Sequence, residues 1–179
     1  MARRLQRLIP LVAFLVGFSV PCLTAQDEES PQEKQYREDY EHVTKIVAIP
    51  EAVKRADALL VFMRERPNSK MDDYAQGNFF SVLDNLVKGE NNAAILSLTD
   101  RFIKMRPRVG ETYYFQGVAL KNQRKFAEAL DSLAKCVVLK NRISGKAREF
   151  MEYIYRGQNR GEIAGMEKLI QKAQAELAK

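Results

Sequence analysis

Beyond Gln35 the chain keeps one rhythm: apolar residues recur at alternating spacings of three and four, halt at Gly, Pro or Asn, and resume. Tyr36, Tyr40, Val43 and Val47 mark a first stripe that stops near Ile49. Pro50 suits the first turn of a second helix, where its missing N–H costs nothing, and Val53, Ala56, Leu60 and Met63 form that helix's face up to Arg66. Phe79, Val82, Leu83 and Leu86 predict a third helix ending at Lys88-Gly89, and Ala94, Ile95, Leu98, Phe102 and Met105 a fourth ending before Pro107. A third pair opens on Tyr113, Gly117 and Leu120 and returns through Phe126, Ala129, Leu130, Leu133, Val137 and Leu139. The last pair opens on Ala147, Phe150, Met151 and Ile154 and closes on Ile163, Met166, Leu169, Ile170, Ala173 and Leu177. Connections of roughly two to six residues suit antiparallel neighbours, so the expected fold is all-α: eight helices in four hairpins, over residues 34–67, 74–107, 110–141 and 144–178.

Helix pairs recurring at a period near 34 residues point to a solenoid, in which no unit covers its own apolar face without its neighbours. The echo of FMRERP (62–67) in FIKMRP (102–107) marks the ends of successive second helices, with Pro stopping each one. Arg66 and Arg106 are placed to face the open carbonyls of a last turn, and the forty-residue spacing implies about six extra residues near Asn68 to Asp73.

Residues 110–141, GETYYFQGVALKNQRKFAEALDSLAKCVVLKN, resemble a tetratricopeptide repeat. Tyr113 stands at that family's large aromatic site, Gly117 at its tiny-residue site, and Leu120 at its large apolar site; Phe126, Ala129 and Cys136 match an aromatic and two small positions. Gln116 replaces an expected leucine and Asn141 the closing proline. Residues 76–107 keep Phe79, Gly89, Ala94 and Pro107 but carry Leu83 at the tiny site, and the outer pairs keep the hairpin outline alone. The resemblance implies a right-handed α-solenoid whose first helices line a concave groove for extended peptides or partner helices. Beside the core stripe, those helices present Phe80, Asp84, Val87 and Lys88 in the second unit and Tyr114, Val118, Lys121 and Asn122 in the third. Phe80, Asp84, Tyr114, Val118, Lys121 and Asn122 are therefore the candidate partner-binding residues. An Asn-plus-Lys clamp for a terminal carboxylate is not carried over, because Lys121 and Asn122 are adjacent in one repeat.

The first 25 residues read differently. Arg3, Arg4 and Arg7 precede an apolar run from Leu8 to Val20, and Ala25 is the small residue before an expected cut, the three-part layout of a secretory signal. Pro21 before Cys22 argues against lipidation, and an uncleaved anchor is the alternative. Residues 26–33, QDEESPQE, are expected to be a disordered acidic lead-in. Export to a bacterial periplasm or cell envelope follows, and the absence of any Asn-x-Ser/Thr acceptor agrees with it. Cleavage would leave Cys136 alone, set in LAKCVVL as a buried small hydrophobe.

Losing three arginines lowers the formal charge from +6 to +3, so distribution matters more than total. Residues 26–57 hold five Lys/Arg against nine Asp/Glu, whereas residues 101–160 hold fourteen against five. The cations cluster at Arg101, Lys104, Arg106 and Arg108, at Lys121, Arg124 and Lys125, and at Lys135, Lys140, Arg142, Lys146 and Arg148. Export disfavours nucleic acid as their partner and leaves an anionic envelope component or an acidic protein surface. Catalysis has no foothold: His42 is the one histidine, no phosphate-binding glycine motif occurs, and Asp72-Asp73 reads as charge at a helix start. No metal or cofactor is expected. The expected function is a non-enzymatic protein-interaction scaffold of the cell envelope, the alternative being a membrane-anchored accessory protein whose basic surface binds anionic lipid or polymer.

Overall fold

The computed structural model describes residues 29–178; the expected signal segment and its cut at Ala25 lie outside them. Eight helices follow one another: α1 (Pro31–Val47), α2 (Ala52–Glu65), α3 (Asp72–Lys88), α4 (Asn92–Met105), α5 (Gly110–Asn122), α6 (Phe126–Val138), α7 (Ser144–Gln158) and α8 (Met166–Leu177). No strand occurs among the described residues, and the architecture is an all-α solenoid of four antiparallel helix pairs. Packing runs along the chain: α1 on α2, α2 on α3 and α4, α4 on α5, α5 on α6, α6 on α7 and α8, and the first helices α3, α5 and α7 in a row.

Local chemistry sets the boundaries. Ser30 caps α1 through a reciprocal box with Glu33, and Pro31 follows at the first helical position, so the helix begins inside the segment expected to be a lead-in. First helices of the later pairs end in one recurring turn. The Asn91 N–H donates to the Leu86 carbonyl (2.9 Å) and the Lys125 N–H to the Leu120 carbonyl (2.9 Å), while the Gly161 N–H reaches Arg156 (2.9 Å). This geometry needs a left-handed residue, and Glu90 (φ 54°), Arg124 (φ 61°) and Arg160 (φ 52°) supply it without glycine. Gly89, read from the sequence as the turn residue, sits one position early at φ −85°.

Two apolar clusters form the interior. Val43, Ala56, Leu59, Phe62, Phe79, Leu83, Ile95 and Phe102 belong to the first, and Tyr113, Ala129, Leu133, Cys136, Met151 and Ala173 to the second. Gly117 explains a difference between the pairs. A Cβ there would lie 2.8 Å from Leu133 Cγ and 3.3 Å from the Ala129 carbonyl, so only glycine lets α5 and α6 approach fully. Leu83 occupies the matching site of α3, and α3 and α4 pack far less intimately than α5 and α6.

Three expectations about the frame need correction. Tyr36 and Tyr40 are exposed; Asp39, Val43 and Ile46 carry the buried face of α1 instead. Ile163 is exposed and precedes α8, which starts only after Gly165 (φ 101°), whose missing side chain makes room for the Tyr155 hydroxyl. The long spacing between FMRERP and FIKMRP comes mostly from α3, which has 17 residues against 13 in α5 and so gains about one turn.

Arg66 and Arg106 do not serve their own helix carbonyls. Arg66 reaches back to Asp39 on α1, which also accepts from Ser69 and from Gln35 (2.8 Å). Arg106 forms a two-pronged contact with Asp72 (2.7 Å to Oδ2) and also donates to Gln76 (3.0 Å). Each repeated Arg-Pro thus ties the end of a second helix to the first helix of its own pair. Asn141 holds the equivalent place in the third pair. It donates to the Cys136 carbonyl (3.1 Å), accepts from the Ile143 N–H (2.9 Å), and fits because Gly110 beside it has no side chain.

Candidate functional site

The first helices of the second, third and fourth pairs lie side by side, and their shared face carries a cavity of about 320 Å³. Helix α3 contributes Gly77, Phe80, Ser81 and Asp84, and α5 contributes Glu111, Tyr114 and Phe115. Arg142, Ile143 and Lys146 close it at the start of α7. The spacing on α3 explains its share: 77, 81 and 84 fall on one helical face, next to the core stripe of Phe79, Val82 and Leu83.

Aromatic side chains run continuously beneath and beside this cavity. Phe79 stacks on Phe102 with centroids 5.0 Å apart, Phe80 stacks on Phe115 at 6.0 Å, and Phe115 meets Tyr114 edge-on at 5.6 Å. Tyr114 then leans on Phe150 at 6.5 Å, and Phe150 stacks on Tyr153 at 6.4 Å. Phe79 and Phe102 are fully buried, Phe80, Phe115, Tyr114 and Phe150 partly so, and Tyr153 is exposed, so the ladder climbs from core to solvent. Rings held at both edges lose little freedom when a ligand covers them.

Charge is placed around that floor. The Lys146 ammonium sits over the Tyr114 ring, 5.2 Å from its centroid. Asp84 pairs with Lys88 at 2.6 Å on its own helix. Glu111 and Arg142 form no ion pair among the described residues.

Of the residues singled out from sequence, Phe80, Asp84 and Tyr114 meet at this cavity; Val118, Lys121 and Asn122 do not. Val118 is buried in α5. Lys121 lies toward the far end of α5, on the rim of a second depression of about 530 Å³ with Phe126, Tyr153, Ile154 and Arg156. Asn122 donates to Asn92 (3.1 Å) across the turn edge. Phe115, Arg142, Ile143 and Lys146 line the cavity without a sequence signal of their own: the sequence gives Phe115 no place on the core stripe and leaves Arg142 and Lys146 in an undifferentiated cationic run.

The cation clusters separate once partners are visible. Arg101 is tied to Asp57, Arg106 to Asp72, Arg148 to Glu167, and Lys135 to Asp131 (2.8 Å) and Glu176 (3.0 Å). Burial alone would lower the Lys135 pKa, but Asp131 and Glu176 outweigh it and raise it, keeping the ammonium charged. Cys136 is fully buried, and burial pushes its thiol up to about 11, which fits an inert core residue. His42 is exposed and meets Phe62 edge-on at 5.5 Å. Among the described residues no group of three His, Cys, Asp or Glu is placed to hold a metal, and no helix is long and apolar enough to cross a membrane.

Comparison with known protein families, curated proteins and solved structures finds no match to this chain.

Proposed function

We propose that this chain is a non-enzymatic interaction scaffold, a tetratricopeptide-type repeat protein that receives a peptide or helix of a partner on its first-helix face. The observation that carries this reading is the aromatic-floored groove across α3, α5 and α7, rimmed by charged side chains of both signs. The glycine-dependent contact of α5 with α6 supports the family assignment, because that family places its tiny residue where Gly117 stands. Departures from the pattern have local reasons. Gln116, in place of leucine, links Asp100 of α4 (2.7 Å) to Ser132 of α6 (2.9 Å). The secretory layout of residues 1–25 supports an address in the bacterial periplasm or envelope.

A groove of this kind draws affinity from a few desolvated aromatic anchors and steering from its charged rim. The alternative, a basic surface for anionic lipid or polymer, would rest on the other cations of those clusters, because Arg101, Arg106, Lys135 and Arg148 are already engaged by carboxylates of the same chain. Photocrosslinking in the native envelope tests the reading. A benzophenone amino acid at Ser81, in the groove, is expected to trap a discrete partner, whereas the same group at Ser97, exposed on α4, is not. Identical adducts from both positions, or none from Ser81, would reject it.

A further inference from the structure

We propose that the groove selects its ligand by charge order: a segment of about six residues with Lys or Arg at one end, apolar side chains in the middle, and Asp or Glu at the other. This rests on the groove being the binding face and goes beyond it by naming the ligand chemistry. Across the row α3, α5, α7 the lining charge changes sign once. Asp84 and Glu111 stand on the first two helices, and Arg142 and Lys146 at the third. Phe80 of α3 and Tyr114 and Phe115 of α5 supply the aromatic lining of the same cavity.

Two of these charges, Glu111 and Arg142, have no ion-pair partner among the described residues, and Lys146 is held over the Tyr114 ring. Asp84 is engaged by Lys88, but that is an exposed contact within one helix, which an incoming cation displaces at little cost. Packed helices lie about 8–10 Å apart, so α3 to α7 is roughly 20 Å. An extended chain rises about 3.3 Å per residue and crosses that span in about six residues. A uniformly acidic segment would set a carboxylate against Asp84 and Glu111, and a uniformly basic one an ammonium against Arg142 and Lys146. Either mismatch leaves like charges facing each other beside a low-dielectric aromatic floor.

The test uses three end-blocked, fluorescein-labelled peptides, Lys-Lys-Leu-Phe-Glu-Glu, Lys-Lys-Leu-Phe-Lys-Lys and Glu-Glu-Leu-Phe-Glu-Glu, titrated with purified protein and read by anisotropy. The mixed peptide is expected to bind about tenfold more tightly than either uniform one, with the gap narrowing at high salt. Arg142→Glu combined with Lys146→Glu should transfer the preference to the all-lysine peptide. Both positions are exposed, so the fold is left intact. Ser81→Trp, which fills the groove from an exposed position, should weaken all three. Equal affinities, or a preference that the double charge reversal leaves unmoved, would overturn the charge-order inference while the groove reading stands. No binding by any peptide, or binding indifferent to Ser81→Trp, would overturn the groove reading and the inference with it.

Discussion

Replacing Gly117 with alanine adds one methyl group to a helix and should still destabilise the protein. Alanine is better than glycine in a helix interior by about 1 kcal/mol, which favours the variant. Against this, the new Cβ would lie 2.8 Å from Leu133 Cγ, 3.0 Å from its Cδ2 and 3.3 Å from the Ala129 carbonyl. Leu133 is fully buried and has nowhere to swing, so α5 and α6 must separate. Overpacking of this kind costs about 1–3 kcal/mol, and a net loss near 1 kcal/mol is expected, or roughly 2–4 °C in Tm for a chain of this size. Gly77→Ala is the internal control. It lies on α3, its Cβ would meet nothing within 4 Å, and it should raise Tm by a similar amount. Urea unfolding followed by far-ultraviolet circular dichroism reads both variants through the midpoint at unchanged slope. If Gly117→Ala stabilised as much as Gly77→Ala, the argument that glycine sets the α5–α6 contact would be wrong.

Asp39 should carry a pH signature. Burial would raise its pKa, but hydrogen bonds from Ser69 and Gln35 and the Arg66 guanidinium outweigh it and hold it below the ordinary carboxylate value. A depressed folded pKa contributes stability that is complete above about pH 4 and lost as pH falls through the folded value. Asp39→Asn should therefore lower stability by about 2 kcal/mol at pH 7, with the gap to wild type closing on acidification below pH 4; a gap constant with pH would contradict this. Arg124 stands in the left-handed region at φ 61°, so Arg124→Gly should stabilise by about 1 kcal/mol in thermal melts despite glycine's greater freedom in the unfolded chain. The buried Cys136 thiol, with its pKa near 11, should resist a thiol-reactive chromophore at pH 8 in the native protein and react promptly in denaturant; rapid native labelling would show that its shell opens.

What was legible beforehand followed from local periodicity. Phe79, Leu83, Leu98, Phe102, Leu133 and Met151 all lie on stripes of three-four spacing, and all are buried. Gly117 was legible through the resemblance, which puts a tiny residue at that position for close helix approach. The misreading of the inward face of α1 has a clear cause. Tyr36 and Tyr40 repeat at helical spacing as well as Asp39, Val43 and Ile46 do, and an aspartate on the inward face looks like an error until Arg66 and Ser69 supply its partners. Those partners are 27 and 30 residues away, beyond any local pattern. The same limit applies to Arg106, whose acceptor Asp72 lies 34 residues upstream. Of the residues beside the core stripe, Phe80, Asp84 and Tyr114 meet at one cavity, and Val118, Lys121 and Asn122 lie away from it. How far along each helix the groove extends was not legible, because it depends on the offset between α5 and α7. That offset brings Arg142 and Lys146 into the groove and leaves Lys121 and Asn122 at the turn edge.

Backbone amide chemical shifts of isotope-labelled protein, recorded as the mixed-charge peptide is added, test the central claim most directly. Shift changes should concentrate at Gly77, Ser81 and Asp84 of α3, Glu111 and Phe115 of α5, and Ile143 and Lys146 at α7, with α4 and α8 unmoved. Changes centred instead on the Lys121–Lys125 turn, or spread evenly over the cations of the later half, would contradict the assignment of the first-helix groove as the binding site.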